Sequence, residues 1–261
     1  MSLCFTELVA PIRAPAKQRA ESEIPPVLYQ TWFERRIHRV FMHHIRKFWA
    51  LNPDLEVKLF DDAGCDAFME AHWMHHPIHR VYRGAQFGPL KTDIFRYCLI
   101  YKFGGYYCDI SKGVLTRWAS LHPAHASGVV SYEKNEFLLP VTDSEMEALV
   151  HPHHFVCNWA FGFAPEHPFL LKVIDAIVAL APRYDRVVFE HVKPAIVTFT
   201  GPGVFTCCFH EYAVQQMEPK IYESGINFEG YGKMNLRGSR LRFLRRRSYK
   251  KIQGQQILIM D

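Results

Sequence analysis

The amino-acid sequence predicts an α/β fold in which helices cover a mostly parallel central β-sheet. Short runs rich in strand-forming residues alternate along the chain with longer stretches of helical periodicity, an order typical of that fold class. The chain has 261 residues, of which 49% are hydrophobic, so it is long and apolar enough to bury one large core. Its 14% aromatic content and its net charge of only +5 exclude a disordered chain.

Each predicted element of the first half has a local reason in the sequence. The apolar run at 24–29 favours a first buried strand, and apolar side chains at three- and four-residue spacing predict a helix at 34–51. Alternating apolar and polar residues predict a strand at 55–60. A second helix is predicted at 90–103, because the proline before it suits a first helical turn, and aromatic residues favour a central strand at 106–110.

The second half of the chain continues the alternation. Strands are predicted at 127–132 and 156–164, and a helix is predicted at 167–180. A Gly-Pro-Gly turn leads into a further predicted helix at 204–216, and a last strand is predicted at 256–260. Strands and helices that alternate at these lengths place the helices on the faces of the sheet.

Composition divides the chain into three predicted parts. Residues 1–23 mix proline, alanine and charge without periodicity and are expected to form a mobile arm before the α/β domain at 24–232. Residues 233–251 contain nine Lys or Arg and no Asp or Glu, whereas the remaining residues hold 22 basic and 26 acidic side chains. We therefore predict a basic C-terminal appendage at 233–261.

The basic run at 233–251 has three interpretations. A solvated charged surface is the plainest, but the interleaved Leu241 and Phe243 favour an anionic membrane surface. Nucleic-acid binding is not expected, because the rest of the chain is slightly acidic. No apolar run approaches the roughly 20 residues that span a bilayer, the start lacks a secretory pattern, and the seven cysteines lack CxxC spacing. We expect a cytoplasmic protein, peripheral to the inner face of a membrane.

The segment 89–111 carries the strongest chemical signal. On a helix, Asp93 and Arg96 lie on one face, and Asp109 follows a strand, where open α/β sheets place ligand-binding residues. A carboxylate at that position is suited to hold a metal ion or a ribose hydroxyl. The alternatives are a surface ion pair for Asp93 with Arg96 and a turn-capping role for Asp109.

Several ordered segments resemble one known family. They are 28–32 (LYQTW), 52–62 (NPDLEVKLFDD), 91–97 (KTDIFRY), 103–111 (FGGYYCDIS), Asn158, 167–169 (HPF) and 200–203 (TGPG). In this order, over about residues 24–215, they resemble glycosyltransferase family 32. That family includes fungal initiating α-1,6-mannosyltransferases and bacterial capsule and glycolipid transferases and is related to clostridial toxins.

The resemblance implies a GT-A fold and a retaining transfer of a hexose. The donor would be a nucleotide diphosphate sugar, the acceptor a hydroxyl of a polysaccharide or glycolipid, and the cofactor Mn²⁺ or Mg²⁺. Trp32 would stack on the donor base, and Asn158 would reach the transferred sugar. The implied catalytic residues are Asp93, Arg96 and Asp109; the implied donor-binding residues are Trp32, Gln30, Gly105, Tyr107, Asn158, Gly201 and Gly203; and the implied metal ligands are Asp109 and Ser111.

The chain departs from the family pattern at two points. Ser111 stands where the last Asp of the DXD motif binds the metal in relatives, and a hydroxyl is a weaker ligand than a carboxylate. The His-x-Trp-like ending that often closes the donor site in relatives is not recognisable. The metal is then held weakly, held by other groups or absent. If it is absent, Lys112 or the basic run would offset the charge of the leaving diphosphate. Two alternative functions stay open: an inactive relative that binds nucleotide or glycan, and a membrane-recruited interaction protein.

Overall fold

The computed structural model describes residues 5–11, 22–137, 141–230 and 252–261. Its strands are β1 (Phe5–Glu7), β2 (Val27–Thr31), β3 (Arg36–His38), β4 (Glu56–Phe60), β5 (Gly105–Cys108), β6 (Gly128–Glu136), β7 (His154–Val156), β8 (Ala160–Phe163), β9 (Val188–His191), β10 (Tyr222–Ile226) and β11 (Gln253–Gln256). Its α-helices are α1 (Arg39–Leu51), α2 (Asp62–Trp73), α3 (Pro77–Gly84), α4 (Gly88–Phe103), α5 (Asp143–Ala148), α6 (Pro168–Leu180), α7 (Val192–Phe199) and α8 (Pro202–Val214).

The central sheet has the strand order β10-β6-β8-β5-β2-β4, and β7 pairs with β6. The pairs β2–β4, β2–β5 and β10–β6 are parallel, whereas β8 runs antiparallel to both of its neighbours. Five of the six strands on this path therefore share one direction. The predicted α/β fold with a mostly parallel sheet is confirmed.

Two hydrophobic clusters cover the two faces of the sheet because side chains alternate along each strand. On β5, Tyr106 packs in the cluster that contains α1, and Tyr107 packs in the larger cluster that contains α4, α6 and α8. Helix α4 is buried along most of its length, including the polar Asp93 and Arg96. Burial of these two charged side chains requires partners, which the candidate site supplies.

The helix predicted at 34–51 begins later than expected. It starts at Arg39, because Arg36–His38 forms β3 and pairs antiparallel with β1. The side chain of His38 caps the helix by accepting from the amide of Val40. The predictions gave no bounds for α2, α3, α5 or α7; the short apolar stripes of α2 and α3 pack in the larger core cluster that also contains α4 and α6.

Both predicted ends of the chain need correction. Residues 5–7 of the predicted mobile arm form β1, and Leu8 behind them is buried, so this part of the arm is attached to the domain. Residues 252–261 of the predicted appendage also join the fold: Ile257 and Leu258 lie in the larger core cluster. The strand expected at 256–260 occurs instead as β11, which pairs with β9. The basic run at 233–251 lies outside the described residues.

One described segment, Val192–Val214, is long and apolar enough to cross a membrane by length and composition alone. It comprises α7 and α8, which are separated at Thr200 and Gly201, and 61% of its most apolar window is buried inside the fold. Such a segment is weak evidence for a membrane span, since buried core helices pass the same test. The sequence pattern did not single it out.

Candidate active site

A cavity of about 710 Å³ lies where the chain leaves β2 and β5. The first turns of α4 and the start of α8 complete its wall, so helix N-termini face the same space as the strand ends. This is where open α/β sheets bind ligands. The structure brings together seven of the predicted site residues in this wall. They are Trp32, Asp93, Arg96, Asp109, Ser111, Asn158 and Gly201.

Arg96 is the centre of the charged network. Its Nη2 lies 3.2 Å from Asp93 Oδ1 and 3.3 Å from Asp109 Oδ1. Its Nη1 donates to the carbonyl oxygen of Asn158 at 2.8 Å, and its guanidinium lies 4.6 Å from the centre of the Tyr107 ring. Because both terminal nitrogens of the planar guanidinium have partners, the orientation of Arg96 is fixed before any ligand binds.

Asp93 is 7% exposed and accepts hydrogen bonds on both oxygens. Asn158 Nδ2 donates to Oδ1 and Thr200 Oγ1 donates to Oδ2, each at 3.2 Å. Burial raises the pKa of Asp93 to about 7, although Arg96 acts in the opposite direction. Asp93 therefore orients Arg96 and Asn158, and it lines the cavity that a ligand would occupy.

Asp109 is the more open carboxylate, with 28% of its side chain exposed. Its Oδ1 accepts from the hydroxyl of Tyr107 at 3.2 Å, and that hydroxyl also lies 3.0 Å from Thr31 Oγ1. Tyr107 itself is fully buried, and burial raises the pKa of its phenol well above the ordinary value. Tyr107 is therefore a neutral donor that orients Asp109.

The turn after Asp109 places a cation in the cavity wall. The amide of Lys112 donates to the carbonyl oxygen of Asp109 at 2.8 Å, and Lys112 Nζ lies 4.2 Å from the centre of the Trp159 ring. Trp159 in turn donates its indole N–H to Glu133 Oε1 at 2.6 Å. Ser111 also lines the cavity. Of these, the sequence pattern named Ser111 and Lys112 and gave no signal for Trp159 or Glu133.

The residues that would hold a divalent cation do not fit that group well. Among the described residues, no group of three or more His, Cys, Asp or Glu side chains is arranged to bind a metal ion. Asp109 already accepts from Arg96 and Tyr107 on one oxygen, and Ser111 offers a neutral hydroxyl. Mg²⁺ and Mn²⁺ prefer several oxygen ligands, commonly carboxylates.

Aromatic side chains form two parts of the cavity wall. Trp32 packs against Phe33 and Phe41 at centroid distances of 5.0 and 5.2 Å and donates to the carbonyl oxygen of Arg36. Phe137 and Phe155 pack with their centroids 4.2 Å apart. The sequence pattern missed this second pair, because Phe137 follows β6 and Phe155 lies on β7, and only the tertiary fold brings them together. Phe137, which is 37% exposed, leaves flat apolar surface for a base or a sugar ring, whereas Trp32 is only 8% exposed and packs in the core cluster beside α1.

Of the described residues, four predicted donor-binding positions lie outside the cavity wall: Gln30, Gly105, Tyr107 and Gly203. Gln30 is fully buried; its amide donates to the carbonyl oxygen of Cys108 and accepts from the indole of Trp49. Gly105 has φ = 103°, and a Cβ there would lie 2.8 Å from the Val27 carbonyl oxygen. These positions shape the site without reaching the cavity.

The turn at 201–203 lies only partly in the cavity wall. A Cβ at Gly203 would lie 2.8 Å from the carbonyl oxygen of Val197, so this glycine permits close packing of α7 on α8. Gly201 lines the cavity, but its amide donates to the carbonyl oxygen of Ile196 at 2.9 Å. The amide of Gly201 therefore already has a backbone partner, as expected for a turn that starts a helix.

Curated proteins similar to this chain are fungal mannosyltransferases. The initiation-specific alpha-1,6-mannosyltransferases of Candida albicans and Schizosaccharomyces pombe are 25% and 23% identical to it; the matches cover 77% and 80% of this chain and 56% and 53% of those proteins. Inositol phosphoceramide mannosyltransferase 3 of Schizosaccharomyces pombe is 24% identical, over 69% of this chain and 43% of that protein. The chain thus spans about half the length of these relatives.

Among solved structures, the chain is similar to that of PaToxG glycosyltransferase. The TM-score is 0.53 at 15% identity, and the match covers 72% of this chain and 69% of that one, so it supports the fold alone. No family model matches the chain. The resemblance predicted from the sequence motifs is confirmed by these similarities: the chain is similar to glycosyltransferases of family 32 and has an α/β, GT-A-like fold.

Proposed function

We propose that the protein transfers a hexose from a nucleotide diphosphate sugar to a hydroxyl of a glycan or glycolipid, with retention of anomeric configuration. One observation carries the proposal: Arg96 is held between Asp93 and Asp109 in the wall of a cavity at the strand ends. The similar proteins described above are all mannosyltransferases, which supports the same reaction class.

The wall offers groups suited to each part of such a donor. Asp109 has an exposed face that can accept hydrogen bonds from sugar or ribose hydroxyls. Trp32 lines the wall where the base would lie, with 8% of the residue exposed, and Asn158 lies beside Arg96 where the transferred sugar would sit. Because Arg96, Asp93 and Asn158 hold one another, the donor would meet groups already oriented, which lowers the entropic cost of reaction.

The arrangement favours a displacement on one face of the sugar over a covalent sugar–enzyme intermediate. Asp93 is a poor nucleophile for such an intermediate, since both of its oxygens accept hydrogen bonds and it is almost fully buried. In the proposed step the bond between C1 and the diphosphate oxygen breaks, and the bond between C1 and the acceptor oxygen forms on the same face. The acceptor proton passes to the leaving diphosphate.

The divalent cation implied by the family resemblance stays a prediction. If it binds, Asp109 and Ser111 are the protein groups nearest to the family positions, and a cation there would offset the charge of a diphosphate. Asp109 is the one carboxylate at those two positions and Ser111 is neutral, which supports that role weakly, so the proposed step is written without the cation.

The acceptor side and the membrane are further parts of the proposal. Phe137 and Phe155 offer an apolar face for a sugar ring or a lipid-linked acceptor at the cavity mouth.

We propose that the basic run at 233–251 holds the protein at an anionic membrane surface on the cytoplasmic side. Co-sedimentation with vesicles of phosphatidylserine, but not of phosphatidylcholine alone, would support this, provided that a variant with its arginines replaced by glutamine stays in solution.

The activity is tested with the purified chain and a panel of UDP- and GDP-hexoses. The measurement is release of the nucleoside diphosphate, with Asp109→Asn as the site variant and Asp175→Asn, an exposed carboxylate, as its matched control. Release by the wild type and by the control, but not by Asp109→Asn, is the expected result. NMR of the glycan product then reports the anomeric configuration, and an inverted linkage contradicts the proposed displacement.

The second candidate is a protein that binds nucleotide without turnover. The observation that favours it is Ser111 in the place of a carboxylate. A thermal shift by UDP or GDP, with no release from any donor even when oligosaccharide and glycolipid acceptors are added, would support it.

A further inference from the structure

Lys112 is a cation in the cavity wall, on the same turn as Asp109. We infer that Lys112, in place of a divalent cation, offsets the negative charge of the leaving diphosphate. This inference rests on the proposed function, since it assigns one further residue to the same donor site. Lys112 directly follows Ser111, the position at which the chain departs from the motif of the family that it resembles.

The donor set beside Lys112 is the first argument. A cation bound at the family position would share Asp109 Oδ1 with the guanidinium of Arg96 and the hydroxyl of Tyr107. Its other protein ligand would be the neutral hydroxyl of Ser111. The ammonium of Lys112 on the same turn would repel a second positive charge.

The fixed position of Lys112 is the second argument. Its amide donates to Asp109, and its carbonyl oxygen accepts from the thiol of Cys108 at 3.8 Å, so the backbone is held at both ends. The ring of Trp159 lies 4.2 Å from the ammonium, and the bond from Trp159 to Glu133 fixes that ring. A lysine that is oriented in this way can act as a point charge for phosphate oxygens.

The charge distribution is the third argument. The guanidinium of Arg96 is already paired with Asp93 and Asp109, so part of its positive charge is offset before a ligand binds. Lys112 and Lys193 are the lysines in the described part of the cavity wall, and Lys193 lies on α7, away from the strand-end turn. In the reaction, the electron pair of the broken C1–oxygen bond stays on the diphosphate and the acceptor proton joins it. Lys112 keeps its own proton throughout.

The test is the affinity of the whole chain for UDP and GDP, measured by calorimetry in excess EDTA and again in MnCl₂. We expect the wild type to bind one of the two nucleotides with similar affinity in both buffers. Lys112→Met should bind about tenfold more weakly in EDTA, a loss of about 1.4 kcal/mol, whereas Lys112→Arg should stay near the wild type. Lys193→Met is the matched control and should change the affinity less. Thermal unfolding of each variant verifies that it is folded.

A gain-of-function variant gives the sharpest contrast. Ser111→Asp combined with Lys112→Met restores the family carboxylate, so its nucleotide affinity should rise in MnCl₂ and fall again in EDTA. Wild-type binding that requires Mn²⁺, or unchanged affinity of Lys112→Met in EDTA, would overturn the inference and leave the proposed function standing. If the wild type binds neither nucleotide in either buffer, the proposed function fails as well.

Discussion

Arg96 Nη2 and Asp109 Oδ1 lie 3.3 Å apart, although one residue belongs to helix α4 and the other follows strand β5. The pair forms because Gly104 and Gly105 turn the chain sharply between these elements with positive φ angles of 64° and 103°. A helix and a strand that are adjacent in sequence thus present their charges to the same cavity. The site depends on this turn as much as on the charged residues.

Arg96→Lys should abolish most of the activity. A lysine keeps the charge but cannot bond Asp93, Asp109 and the Asn158 carbonyl together, so we expect a loss of about 100-fold or more in turnover. Release of nucleoside diphosphate is the measurement. Arg117→Lys, which alters an exposed pair with Asp54, is the control. Equal turnover of the two variants would contradict the role given to Arg96.

Asp93 should make stability depend on pH. Its pKa in the folded protein is raised from 3.8 to about 7, so the folded state holds a proton that the unfolded chain releases between these values. The resulting stabilisation is complete below the unfolded pKa and is lost as the pH rises through about 7. The free energy of unfolding of the wild type should therefore fall relative to Asp93→Asn between about pH 5 and pH 8, by up to a few kcal/mol. Parallel denaturation curves over this range would show that Asp93 titrates normally.

Thr200→Val should destabilise the fold and the site together. It removes the hydroxyl that donates to Asp93 Oδ2 and leaves that buried oxygen short of a partner, at a cost of about 1–3 kcal/mol. Thr198→Val, on the neighbouring turn and more exposed, is the control and should cost less. Urea denaturation measures both, and a smaller cost for Thr200→Val would be the contrary result.

Gln30→Leu should lower stability without weakening nucleotide binding. The buried amide links β5 to α1 by bonds of 3.2 and 2.7 Å, and its loss leaves the Cys108 carbonyl and the Trp49 indole without these partners. We expect a cost of about 1–3 kcal/mol in the free energy of unfolding. Calorimetry with UDP and GDP would contradict this structural role if a folded Gln30→Leu protein bound either nucleotide much more weakly.

Leu8→Ala tests whether the N-terminal strand is part of the domain. Leu8 is 3% exposed in the core cluster beside α1, so its truncation should cost about 2–4 kcal/mol. Val9, which is 52% exposed, provides the control: Val9→Ala should change the midpoint of unfolding little. A truly mobile arm would give two variants of equal stability.

Sequence patterns predicted helices, turns and strands correctly where residues close together in the chain determine them. The helix at 90–103, the glycine turn after it and the strand that follows were predicted close to their observed bounds, because apolar periodicity and glycine act over a few residues. The same segment contained Asp93, Arg96 and Asp109, so the charged centre of the candidate site was predicted as well. The structure places Gln30 and Gly203 outside the cavity wall, because a motif match does not reveal which way a side chain faces or how closely two helices pack.

The sequence by itself determined the fold class, the family resemblance and the residues that carry charge at the strand ends. Only the tertiary structure decided that Tyr107 orients Asp109, that Trp159 and Glu133 fix Lys112, and that both described ends of the chain join the domain. The physical reason is the separation along the chain over which each kind of interaction acts. Backbone propensity and hydrophobic periodicity act between residues a few positions apart, whereas burial and hydrogen bonds between distant segments exist only once the sheet has assembled.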